Sequence, residues 1–133
     1  MSEFPGGRKL PPAVELLGYR LLAADAERGE AQAEFLARPE FLNLMGNVQG
    51  GFLTAMLDAV ASTALLAQLP SDHVAPTLEL KTSFVRPAPP GRLLGHGRVV
   101  HRGRTIAFLA GELTDEDGTL LATASATVRI VRR

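Results

Sequence analysis

Asp58 is the residue whose surroundings call for chemistry. It is the only charge between Phe52 and Leu69, in a run without glycine or proline. Such a run reads as a helix buried on nearly every side. A carboxylate set into it must find hydrogen-bond partners or open onto a cavity where it reacts. Thr54 and Ser62 stand four residues to either side, so the three form one polar stripe on an apolar cylinder. Gly50 and Gly51 fall at the helix start. Free backbone N–H groups and the helix dipole there suit an anion or a polarised carbonyl, and the missing side chains let a ligand approach.

Gly51 precedes Asp58 by seven residues, about 10 Å at a rise of about 1.5 Å per residue. One small reacting group cannot touch both within a single chain. If the two act together, Asp58 of one subunit meets the helix start of another, which predicts a dimer with shared sites. The rival is a plain core helix whose acid is satisfied locally. A membrane span is excluded, because Asp58, Ser62, Thr63 and Gln68 interrupt a short apolar run. Ser62 has no histidine within helical reach, which argues against a serine hydrolase. Its expected role is to shape the pocket or to bond the backbone one turn earlier.

The elements that must position this stripe are drawn from 133 residues, enough for one domain over 1–133 with a sizeable core. A formal net charge of zero leaves no footprint for a nucleic-acid partner. The absence of cysteine excludes thiol chemistry, disulfides and thiolate-held metals. His73, His96 and His101 lack metal-ligand spacing, so no metal is expected. No basic start followed by an apolar stretch marks an export signal, so the expected location is cytoplasmic, with no membrane association.

Residues 1–12, rich in glycine, proline and charge, are expected to form a mobile arm. A short helix over 12–17 ends at Gly18. Residues 19–26 and 31–36 read as a hairpin about Glu27-Arg28-Gly29-Glu30. After the long helix the period becomes two. Over 76–86, Leu78, Leu80, Thr82 and Phe84 share one face, and Thr77, Glu79, Lys81 and Ser83 the other. Strands follow over 92–101, 105–114 and 119–131. In the last, Leu120, Ala122, Ala124, Ala126, Val128 and Ile130 face inward, the alanines small enough for a helix to lie close. A hairpin, a buried helix and four consecutive strands predict an α+β fold, an antiparallel sheet of about six strands curled around one long helix.

These residues resemble a known family. Asn43-Leu-Met-Gly-Asn-Val-Gln49-Gly50-Gly51 followed by Asp58, the stretch 76–91, and Asp115-Glu-Asp-Gly118 before Leu120-Leu-Ala-Thr-Ala124 are similar to the hotdog-fold acyl-CoA thioesterases of the phenylacetate-pathway, PaaI-like type. The resemblance implies that Gly50 offers its N–H to the thioester oxygen and that Gly51 adjoins it. It implies that Asn43 helps place the thioester or the attacking water, and that Asp58 of the partner subunit is general base or nucleophile. Thr77 matches a Ser or Thr position that orients water near the acid. Gln49 stands where relatives carry histidine; it hydrogen-bonds but does not titrate.

Substrate contacts are expected from Gln49, Gly51, Thr54 and Ser62. Arg102 and Arg104, on a turn beside a strand edge, are the expected phosphate partners of coenzyme A, with a solvated turn as the alternative. Phe41, Leu42, Met45, Phe52, Met56 and Phe84 are candidates for an acyl pocket and equally for core. The reading is hydrolysis of an acyl- or aryl-CoA thioester by a homodimer, paired further into a homotetramer, with coenzyme A part of the substrate and no other cofactor. Gln49 raises one alternative, a non-catalytic acyl-CoA binder on the same fold. A dehydratase is weaker, since no histidine occurs before residue 73 to pair with the acid.

Overall fold

The computed structural model describes residues 3–133. Two short strands, β1 (Glu3–Phe4) and β2 (Arg8–Lys9), precede a short helix α1 (Pro12–Leu16) and a hairpin of β3 (Arg20–Asp25) and β4 (Glu30–Ala37). The long helix α2 (Gly50–Leu66) follows. After it come a two-residue strand β5 (His73–Val74) and the strands β6 (Thr77–Phe84), β7 (Gly91–Arg102), β8 (Ile106–Thr114), β9 (Leu120–Arg129) and β10 (Val131–Arg132). The main sheet is antiparallel, six-stranded and ordered β3-β4-β7-β8-β9-β6, with α2 lying across it as the expected α+β plan requires.

The helix seats in a trough of small residues. One row of the register runs Ala31, Gly97, Gly111, Ala124 and Thr82 across β4, β7, β8, β9 and β6. Gly97 and Gly111 face the backbone of α2 at Val60 and Leu57. Above the trough, Met56, Leu57, Val60, Ala64 and Leu65 are fully buried against Phe35, Leu93, Leu109 and Leu113. The helix begins two residues earlier than its apolar run, so both glycines lie in its first turn. It ends at Leu66 because Gln68 and Leu69 turn back to the carbonyls of Leu65 and Leu66.

The expected mobile arm is corrected by packing, although residues 1 and 2 of it lie outside the described residues. Phe4 and Leu10 are buried in the core, Phe4 edge-on to Tyr19. Between them the Arg8 guanidinium donates to five carbonyls: Pro5 at 2.8 Å, Leu66 at 3.0 Å, Leu69 at 3.3 Å, Pro70 at 2.6 Å and His73 at 3.1 Å. A fixed cation on the last carbonyls of a helix satisfies groups that have no intrahelical partner and complements the dipole. Partial burial draws the Arg8 pKa below its ordinary value, against the opposing pull of Asp72. Arg8→Ala is expected to cost about 2 kcal/mol, lowering the melting temperature by roughly 5 to 10 °C in thermal denaturation. Arg8→Lys is expected to recover little, since one ammonium cannot reach five acceptors in this plane.

Two strands depart from simple alternation. In β6, Thr77 pairs with Val128 and Glu79 with Thr127, leaving Leu78 as a bulge, 59 % exposed. The bulge turns Thr77 inward, onto the face of Leu80, Thr82 and Phe84, where period two had set it outward. In β9 a shift beside Thr114 leaves Leu121 unpaired, and it is buried in the place expected of Leu120. The chain end is also tied down: β10 pairs with β5, and Arg132 bridges Asp72.

Candidate active site

Asp58 sits half-buried on the side of α2 nearest the free edge of β6. Gly51 and Ala55, exposed on the same side, and half-buried Ser62 leave this helix face open. The Thr77 hydroxyl donates to Asp58 Oδ1 at 2.8 Å, the one hydrogen bond to this carboxylate among the described residues. The bulge at Leu78 makes it possible, since an unbroken strand would aim Thr77 at solvent. Periodicity could not reveal that reversal. One turn earlier, Thr54 donates to Thr82 Oγ1 at 3.1 Å, joining the stripe to β6. Ser62 makes no side-chain hydrogen bond among the described residues. Thr63 makes the back-bond expected of Ser62, donating to the Ala59 carbonyl at 2.8 Å and bonding the buried Tyr19 hydroxyl at 2.9 Å. Burial pushes the Tyr19 pKa up, partly offset by that bond.

The helix start is built by a hydrogen-bonded loop. Asn43 Oδ1 accepts from the N–H groups of Met45 at 2.9 Å and Asn47 at 3.1 Å, and Asn43 N–H donates to the Asn47 carbonyl at 2.7 Å. Its side-chain oxygen therefore braces the turn, leaving only the amide N–H groups for a ligand. Val48 N–H donates to Ala88 at 2.9 Å and Gln49 N–H to Phe41 at 2.8 Å, so the chain entering α2 is stapled on both sides. Gln49 is the N-cap by backbone geometry; its side chain is exposed and makes no capping bond. Among the described residues no protein acceptor meets the N–H of Gly50 or Gly51. Gly50 lines a cavity of about 420 Å³ between the 43–47 loop and the β6–β7 connection. Met45, Val48, Leu53, Phe84, Val85 and Ala88 give it apolar walls, and Asn43 and Arg86 polar ones.

The remaining expected residues divide. Met45 and Phe84 line the cavity, whereas Phe41 and Met56 are core, Phe41 stacked on half-buried Phe52 at 4.1 Å. Arg102 and Arg104 are exposed at the far end of β7, roughly 35 Å of strand from Gly91 beside the cavity. Within one chain they do not join it. Arg86 is a cavity cation that the sequence reading passed over. Its signal was weak: one arginine before a proline-rich turn. Three carboxylates are held below their ordinary pKa: Glu30 by His96 and then Arg28, Glu34 by Arg20 and then Arg92, and Asp72 chiefly by His73. No cluster of three or more metal-ligating side chains occurs among the described residues.

The thioesterase superfamily model matches residues 45–122, which hold the helix start, Asp58, Thr77 and all of the cavity wall except Asn43. The chain belongs to the thioesterase superfamily. A Mycobacterium tuberculosis protein named as an esterase is 33 % identical over 95 residues, 69 % of this chain and 68 % of that one. A solved Ralstonia eutropha structure, named as a thioesterase-type phenylacetic acid degradation-related protein, is 41 % identical, covers 93 % of each chain and superposes with a TM-score of 0.88. A Streptococcus mutans structure solved with acetyl CoA shares the fold, with a TM-score of 0.77 at 21 % identity over 86 % of this chain and 90 % of that one. This thioesterase therefore has the hotdog fold of the PaaI-like type, and its activity is thioester hydrolysis. No helix among its described residues is long and apolar enough to cross a membrane.

Proposed function

We propose that this thioesterase hydrolyses an acyl-CoA thioester in sites shared between the subunits of a homodimer. The thioester carbonyl accepts from the Gly50 N–H of one chain. The carboxylate of the other chain's Asp58, held at Oδ1 by Thr77, uses its remaining oxygen to take a proton from the attacking water or to attack directly. The tetrahedral oxyanion strengthens its bond to Gly50 as negative charge develops and collapses to expel the CoA thiolate; after direct attack, water then cleaves the acyl-Asp58 anhydride to free the acid and the carboxylate. Asn43 keeps the donor loop in shape.

The observation that carries this reading is a separation. The unpaired donors of Gly50 and Gly51 stand at the start of the helix whose open face carries the half-buried, Thr77-bonded acid, yet seven to eight residues from it, about 10 to 12 Å at about 1.5 Å per residue. Only a second helix running the other way, beside the free edge of β6, brings one acid to the other donor. The same two-fold would carry Arg102 and Arg104 from the far end of a partner's sheet toward the cavity. Acetyl CoA bound to the Streptococcus mutans protein of the same fold supports the choice of thiol.

The test is release of free CoA thiol from a panel of acetyl-, butyryl-, octanoyl- and benzoyl-CoA. Turnover of at least one member is expected, falling by about 10²- to 10⁴-fold in Asp58→Asn. Full activity in that variant would sink the assignment. Thr77→Val is expected to lower kcat by about 10- to 100-fold, the worth of one hydrogen bond to a charged group, with KM little changed. Unaltered kcat would make Thr77 a structural neighbour only.

A further inference from the structure

Within one chain, Phe84 is an inward-facing aromatic residue with no core to enter. The β6 row Leu80, Thr82 and Phe84 pairs with Ala126, Ala124 and Ala122 of β9, so all three side chains face α2. Leu80 and Thr82 meet the helix and are half-buried. At Phe84 the helix has run out, and the ring stays 54 % exposed. Its tip lies against Gly50: a Cβ placed on that glycine would stand 3.0 Å from Cζ and 3.3 Å from Cε1. Ring and glycine line the same cavity, so the ring bounds the space beside Gly50.

The backbone that follows the ring is held by hydrogen bonds. Val85 and Arg86 N–H both donate to the Leu121 carbonyl, at 2.8 and 3.1 Å, and Ala88 beyond them accepts from Val48. A substitution at residue 84 thus alters the cavity wall and leaves these backbone hydrogen bonds in place.

We propose that Phe84 is the specificity-determining residue of this thioesterase, its ring limiting the length of acyl group that fits beside a thioester held on Gly50. The inference rests on the thioesterase reading for the identity of the ligand. The acyl carbons next to the carbonyl lie against the ring, and a chain extending past it must displace it or turn toward Met45 and Val85. Gly50 is glycine in part because a side chain there would push the ring aside.

The experiment measures Phe84→Ala, Phe84→Leu and wild type with acetyl-, butyryl-, octanoyl- and benzoyl-CoA in two ways. Turnover is read by thiol release, and equilibrium binding by calorimetry in an Asp58→Asn background. The expected result is a rise of about tenfold or more in the octanoyl-to-acetyl ratio of kcat/KM for Phe84→Ala, with Phe84→Leu between it and wild type and all three melting alike. Turnover with that ratio unchanged would overturn the role of Phe84 while the thioesterase reading stood. No turnover by wild type, with octanoyl-CoA binding tightened relative to acetyl-CoA in Phe84→Ala, would sink hydrolysis and keep Phe84 as the selector. No turnover and no change in binding preference would overturn both. A Phe84→Ala protein that fails to melt cooperatively leaves Phe84→Leu to decide by the same ratio.

Discussion

Asp58→Asn protein co-expressed with Gly50→Pro protein will hydrolyse acyl-CoA at a substantial fraction of the wild-type rate, although each alone retains about a hundredth of it or less. In a shared site the acid comes from one chain and the oxyanion donor from the other. Each homodimer of a single variant therefore carries the same defect in both sites. A mixed dimer collects both defects in one site and leaves the other with a native Asp58 and a native Gly50. Random pairing makes half of the dimers mixed, each with one working site of two, so the expected activity is about a quarter of wild type. If acid and donor served one chain in cis, every site would keep a defect and mixing would restore nothing.

Gly50→Pro suits this purpose because of where the glycine stands. Position 50 is the first residue of α2, where proline is tolerated and the lost N–H had no intrahelical acceptor. The ψ of Gln49, 135°, already lies in the range a residue before proline adopts. Proline also adds a Cβ against the Phe84 ring, so Gly50→Ala, which adds that carbon and keeps the N–H, is the comparison. Gly50→Pro is expected to fall about 10²- to 10³-fold below Gly50→Ala in kcat, the cost of one oxyanion donor. Equal activity of the two would show that the helix start holds no oxyanion.

The polar stripe was legible because composition alone isolates it: one acid in an apolar run needs a reason, and four-residue spacing places Thr54 and Ser62 beside it. The alternation of Ala122, Ala124 and Ala126 likewise announced a helix lying close to the last long strand. Thr77 shows where local pattern stops. A bulge is decided by how β6 registers on β9, and nothing within residues 76–86 marks Leu78 as the surplus residue. Arg8 was read as part of a loose arm because its acceptors on α2 and β5 lie 58 to 65 positions along the chain. The cavity had the same difficulty. Phe84 and Gly50 are ordinary residues until the strand end is set over the helix mouth, and only then does a half-exposed ring become a wall.

The seat of the helix leads to the largest expected change in stability. At Gly97 a Cβ would stand 2.1 Å from the Val60 carbonyl oxygen and 2.7 Å from its carbonyl carbon. Neither atom is the end of a side chain, so the clash cannot be relieved by a rotamer. Either β7 sinks out of the sheet or α2 lifts by about 1 Å, loosening the packing of Met56, Leu57 and Val60 beneath it. Gly97→Ala is therefore expected to cost about 3 kcal/mol or more, roughly 10 °C or more in melting temperature. Gly111 is its neighbour in the same row, and there the nearest contact of a Cβ is 3.4 Å, to the Leu57 carbonyl oxygen. That is ordinary van der Waals distance. Gly111→Ala should be within about 1 kcal/mol of wild type, helped by the smaller entropy of its unfolded chain. Measured side by side by thermal or urea denaturation, the pair separates close backbone approach from a general intolerance of alanine in the trough. Similar large losses at both positions would mean a general intolerance of alanine in the trough, and similar small ones that the α2 backbone does not press on β7. Because α2 carries both Gly50 and Asp58, lifting it would also spoil their meeting across the dimer. A residual folded fraction of Gly97→Ala is therefore expected to lose activity beyond what its population accounts for.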